Sequence, residues 1–167
     1  MSETESAATT SDQKSGPILV AVDFSKDSEA ALAWASNYAR LTGAELLVFH
    51  VVHDPATSPG FYRRMGEDWL RPMIEVAEEM MAEFLTAMRE AHPDLETIQT
   101  VGTRLVSGLP AGRIVEAADQ VGAPVIVVGS RGRTGLPHIL LGSVAERVAQ
   151  TATVPVVIAK RPPDPTD

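Results

Sequence analysis

The chain has 167 residues, 44% of them apolar and 22% charged, with no cysteine. A mass of 17.8 kDa fits one domain with a substantial core, and the lack of cysteine excludes disulfide frameworks, zinc ribbons, iron–sulfur sites and thiol nucleophiles. A net charge of −8, from 22 acidic and 14 basic residues, opposes nucleic acid as the main partner, because counterion release needs a basic surface. An anionic ligand is still compatible where backbone dipoles hold it locally.

No apolar run approaches the ~20 residues that cross a bilayer, and residues 1–16 have neither the basic start nor the apolar stretch of a secretory leader. The expectation is a cytoplasmic protein without membrane insertion. Residues 1–16 are small, polar and acidic and read as a disordered tail, as do the proline-rich residues 161–167. The folded domain is expected over 17–160.

Within it, β-branched runs alternate with helical patterns. Ile18 to Val22 is a continuous apolar run stopped by Asp23. Ser25 or Asp27 can cap a helix running through Leu41, with Ala30, Ala31, Trp34, Ala35, Tyr38 and Leu41 on one face, and Gly43 ends it. Glu45 to Val52 reads as a second strand, and His53 to Gly66 as a long loop holding Pro55, Pro59 and Gly60.

An amphipathic helix is expected over about 70–91, with Leu70, Met73, Ile74, Ala77, Met80, Met81, Phe84, Leu85 and Met88 inward and several glutamates outward. Thr97 to Val106 alternates as an edge strand does. Pro110 to Val121 is a short helix and Val125 to Val128 an apolar strand. A glycine-rich loop then leads to a helix over Ser143–Gln150 and a last strand over Val154–Lys160. Strands separated by helices run mostly parallel, so the pattern predicts an α/β fold with a doubly wound open sheet.

Ligands of such sheets bind beyond the carboxyl ends of the strands, where the winding reverses. Two strand ends carry unusual chemistry: Ala21-Val22-Asp23-Phe24-Ser25, and Val128-Gly129-Ser130-Arg131-Gly132-Arg133 continuing to Gly142-Ser143. The second has the makings of a phosphate cradle. Its glycines let successive N–H groups converge on an anion, Gly142 and Ser143 open a helix whose dipole favours negative charge, and Arg131 and Arg133 add positive charge. The Ser143 hydroxyl can cap that helix, donate to a phosphate or help hold Mg2+. Neither the P-loop nor the Gly-x-Gly-x-x-Gly spacing is present. By spacing alone the same residues read equally as turn glycines with an N-cap serine.

The pattern Gly129-x2-Gly132-x9-Gly142-Ser143 resembles the glycine signature of the ATP-binding branch of the universal stress protein family. Residues 18–25, 46–52, 108–111, 140–148 and 154–158 are also similar to that family, so the resemblance covers about Ile18 to Lys160. It implies a five-stranded parallel sheet of order 3-2-1-4-5, an adenine-nucleotide alpha-hydrolase-like fold, with ATP between the ends of strands 1 and 4. It also implies that Ala21, Asp23 and the Val51 backbone surround adenine, with Asp23 also facing ribose. Val128 and Gly129 would line ribose and the first phosphate. Gly132, Gly142, Ser143 and Val144 would hold the phosphates, bridged by Mg2+ or Mn2+, with Ser130, Arg131 and Arg133 as further contacts. The last strand, apolar and at the sheet edge, would pair two copies into a homodimer or a higher even oligomer.

Three functions are compatible with these residues: a nucleotide-dependent regulatory switch acting on a protein partner, a slow ATPase or autophosphorylating protein, and a nucleotide-independent interaction module. No serine-hydrolase elbow is present. His50 and His53, an i, i+3 pair pointing to opposite faces of a strand, read as a packed and a loop histidine rather than a metal site.

Overall fold

Apolar on both faces, the run Ile18–Ala21 is suited only to the middle of a covered sheet, and it forms the central strand of a computed structural model that describes residues 16–52, 73–132 and 141–162. The elements follow as β1 (Ile18–Ala21), α1 (Lys26–Thr42), β2 (Leu46–Val52), α2 (Met73–Ala91), α3 (Glu96–Gln99) and β3 (Gly102–Ser107). Then come α4 (Pro110–Val121), β4 (Ile126–Gly129), α5 (Ser143–Thr151) and β5 (Val156–Ala159). The five strands are ordered β3-β2-β1-β4-β5, all in parallel pairs, with Ala21 level with Phe49 on one side and Val128 on the other. This is the expected doubly wound order, and the winding reverses between β1 and β4.

The alternation of side chains along each strand builds two cores. Ile18, Val20 and Val22 face α1 and α2, meeting Leu32, Ala35, Phe84, Leu85 and Met88. Leu19 and Ala21 face α4 and α5, meeting Ile114, Ala117, Ala145 and Val148. No described helix is long and apolar enough to cross a membrane.

Three expectations need correction. Trp34, Tyr38 and Leu41 do not face the core: they are 39%, 40% and 75% exposed, and the indole and phenol rings stack at 5.2 Å on the outer surface. The buried face of α1 is Ala31, Leu32, Ala35, Ser36 and Ala39, mostly small residues that let the helix axis approach the sheet closely. A tryptophan there would hold the helix away. The expected strand from Thr97 begins only at Gly102, because Leu95 and Ile98 are both buried at helical spacing and place α3 ahead of it. Similarly, Ile74 of α2 is 40% exposed while Val76 takes the inward position.

The Ser36 hydroxyl is fully buried and has no hydrogen-bond partner among the described residues. Ser36→Ala removes that unsatisfied group and raises helix propensity, so it is expected to stabilise the fold by about 1 kcal/mol. Urea denaturation checks this, and a lower midpoint would contradict it.

Candidate functional site

At the end of β1 the chain turns sharply into α1, and Phe24 takes a left-handed conformation with φ 65°. Such a backbone is costly for an aromatic residue and persists only where its surroundings fix it. Here the ring packs 4.3 Å from His50 and edge-on to Phe84 at 5.7 Å. His50 itself is held through Nδ1 by the Val22 carbonyl at 2.7 Å. The turn aims Asp23 past the sheet edge. Its Oδ1 accepts from the Ser28 hydroxyl at 2.7 Å and from the Ser25 N–H at 3.1 Å, while the Asp23 N–H donates to Ser28 Oγ at 2.9 Å. Ser25, not Asp27, is the N-cap of α1, accepting from the Ser28 N–H.

Across the switch point, β4 ends at Gly129, and the first arm of the glycine loop runs through Ser130 and Arg131 to Gly132. Four fixed contacts shape it. The Ser130 N–H donates to the Ala159 carbonyl at 2.7 Å, and the Gly142 N–H returns to the Ser130 carbonyl at 2.8 Å, closing the two arms on each other. The Ser130 hydroxyl and the Arg131 N–H both donate to Asp27 Oδ2, at 2.7 and 2.9 Å. Asp27 and Ser130 are both buried, at 5% and 2% exposure.

The glycines have different reasons. A Cβ on Gly129 would stand 2.8–3.0 Å from the backbone and Cβ of Asp27, so this glycine lets the start of α1 meet the end of β4. A Cβ on Gly132 would lie 3.0 Å from Asp23 Oδ2, which brings the β1 end against the loop. A Cβ on Gly142 would meet only ordinary contacts, 3.4 Å from Gly132 N and 3.5 Å from Arg131 Cα, and would project between the two arms. The opening of α5 and the first arm therefore lie against each other with a glycine on each side.

Gly142 is also the N-cap of α5, with φ −70° and ψ 148° and no side chain to cap the helix. The expected cap Ser143 is instead the first helical residue and is exposed, as is Val144 at 38%. The unpaired N–H groups of this first turn thus receive no cap from residue 142. Ala21, Val51 and Val128 are buried at the strand ends, flanking Asp23. The Arg131 guanidinium is turned back, Nε 3.6 Å from Asp27 Oδ2. Arg133, expected as a phosphate contact, and the expected loop of residues 53–66 lie outside the described residues.

Sequence reasoning missed Asp27 as part of this site, reading it only as a possible cap. Its partners are more than a hundred positions away in the chain, and no local signal reports them. The donor set suits a phosphorylated nucleoside: backbone N–H groups and a glycine-lined gap on one side, a held carboxylate on the other.

A family model described as the universal stress protein family matches residues 15–160. The chain belongs to that family. It is 37% identical over 145 residues to a universal stress protein of Mycobacterium tuberculosis, covering 86% of this chain and 45% of the relative. The chain thus spans about half the length of that mycobacterial protein. A universal stress protein of Methanocaldococcus jannaschii is 32% identical, with 86% of this chain and 94% of the relative covered. Its solved structure has a TM-score of 0.65 over 90% of this chain and 99% of that one, at 29% identity. A universal stress protein of Archaeoglobus fulgidus, solved in complex with dAMP, is 30% identical with a TM-score of 0.57, covering 88% of this chain and 99% of that one.

Proposed function

We propose that this universal stress protein domain binds an adenine nucleotide, ATP in the first instance, and works as a nucleotide-dependent regulatory switch in stress response. The observation that carries this reading is the opposition of Asp23 and the glycine-lined opening of α5 across the switch point of the sheet. The family relative solved with dAMP supports the adenine class.

In this reading Ala21, Asp23 and the Val51 backbone take the base and ribose, with Val128 and Gly129 beside the ribose and first phosphate. Gly132, Ser143 and Val144 take the phosphates through backbone N–H groups beside Gly142, whose own N–H is held by the Ser130 carbonyl, with Arg133 as a further contact. Among the described residues no group of three His, Asp or Glu side chains could hold a metal ion, so a Mg2+ or Mn2+ ion would be carried chiefly by the phosphates. Occupancy would change the surface around the start of α5 that a protein partner reads. The outer edge of β5 would pair two copies of the chain.

Isothermal titration with Mg-ATP tests the proposal. Wild-type protein is expected to bind one nucleotide per chain. Asp23→Ala, which removes the carboxylate facing Gly132, is expected to weaken binding about tenfold, the equivalent of one lost hydrogen bond to a charged group. Unchanged affinity in Asp23→Ala would displace Asp23 from the site. Phosphate release followed in the same samples separates switch from ATPase: sustained turnover by wild type would favour the enzyme.

A further inference from the structure

The loop's cation is already spoken for. Asp27 Oδ2 gathers the Ser130 hydroxyl, the Arg131 N–H and the Arg131 Nε, at 2.7, 2.9 and 3.6 Å. The Asp27 side chain is 6% exposed and that of Arg131 is 32%. A buried carboxylate with this donor set is a strong local negative charge, placed one residue from Gly132 and therefore beside the cradle. It does two things at once: it fastens the first arm of the loop, and it neutralises the arginine that the arm carries.

We propose that Asp27 is a specificity-determining positioning residue that lowers the site's preference for longer phosphate chains by balancing the charge of Arg131. Resting on the nucleotide reading above, the inference is that phosphates are held by backbone N–H groups with no net help from Arg131. Each further phosphate then gains little, because its attraction to the guanidinium is offset by repulsion from the adjacent carboxylate. The ligand class is adenine nucleotides from the mono- to the triphosphate, rather than ATP alone.

Asp27→Asn is the informative change. The amide oxygen still accepts from Ser130 and from the Arg131 N–H, so the arm stays fastened, while the charge is gone and Arg131 is released toward the phosphates. The readout is the ratio of ATP to AMP affinity by calorimetry, in EDTA and again with Mg2+, with the melting temperature followed alongside. The expected result is a ratio that rises about tenfold in Asp27→Asn in EDTA, where every phosphate charge is unscreened by metal. A purely structural role would lower both affinities together and leave the ratio in place.

Arg131→Gln, a change at a partly exposed side chain, provides the second arm. On its own it leaves the Asp27 carboxylate unopposed and is expected to lower the ATP-to-AMP ratio about tenfold, and in combination with Asp27→Asn it should return the ratio to near the wild-type value. A ratio unchanged by Asp27→Asn in both buffers, in protein that binds nucleotide, overturns this inference and leaves the nucleotide reading standing. A ratio unchanged by Arg131→Gln also overturns it, since the guanidinium would then not be what balances the carboxylate. Wild-type protein that binds neither AMP nor ATP in either buffer overturns both.

Discussion

Gly129→Ala is expected to destabilise the fold by about 3 kcal/mol, or roughly 10 °C in Tm, before any question of ligand arises. The added methyl would stand 2.8 Å from the Asp27 carbonyl carbon, 2.9 Å from its Cβ and 3.0 Å from its carbonyl oxygen. None of these atoms is the end of a flexible side chain, so relief requires α1 to move away from β4. That movement pulls Asp27 from Ser130 and Arg131, whose bonds of 2.7 and 2.9 Å fasten the loop. Trimming Asp27 to alanine does not rescue the variant, because backbone and Cβ atoms form the obstruction. Urea denaturation of Gly129→Ala, alone and combined with Asp27→Ala, measures both points. A midpoint equal to wild type would show that β4 and α1 are not in this contact.

Gly142→Val should behave in the opposite way, keeping the fold and losing the ligand. The N-cap backbone at Gly142, φ −70° and ψ 148°, is open to any residue. Its nearest neighbours to an added Cβ, at 3.4–3.5 Å, are in ordinary contact. Stability is therefore expected to fall by only about 1–2 kcal/mol, from the γ-methyls against residues 130–132 and the loss of glycine at an N-cap. The branched side chain, however, projects between the two arms, where a phosphate would have to meet the first-turn N–H groups of α5. The expected loss of ATP affinity is at least a hundredfold, about 2.8 kcal/mol. The pair of glycines thus separates two requirements that one signature combines: position 129 serves packing and position 142 serves access. Loss of binding in a Gly129 variant would say little about the site, since the fold changes with it.

Much of this architecture is legible in the sequence. The uninterrupted apolar run at Ile18–Ala21 marks a strand covered on both faces, and the alternation near Arg104 marks an edge, because a strand's environment is written in its own residues. Local patterning failed where a tertiary contact decided the outcome. The aromatic residues of α1 look like a core stripe by hydrophobicity, yet the sheet accepts its alanines, Leu32 and Ser36 instead. Thr97 and Ile98 look like the start of a strand until the joint burial of Leu95 and Ile98 sets a helical turn.

At the candidate site, the glycines and Asp23 stand out by position at strand ends. The left-handed Phe24 and the buried Asp27–Ser130 pair do not, because nothing near them in the chain requires either.

The central claim is that this site holds an adenine nucleotide, and the most direct test is the nucleotide content of purified protein. Wild type and Gly142→Val, both shown to be folded by their melting temperatures, are denatured and the released small molecules separated by anion exchange. Each is then titrated with Mg-ATP. The account predicts adenine nucleotide with wild type, bound on purification or on titration, and none with the variant. Wild-type protein that is empty and also ignores added Mg-ATP would contradict it.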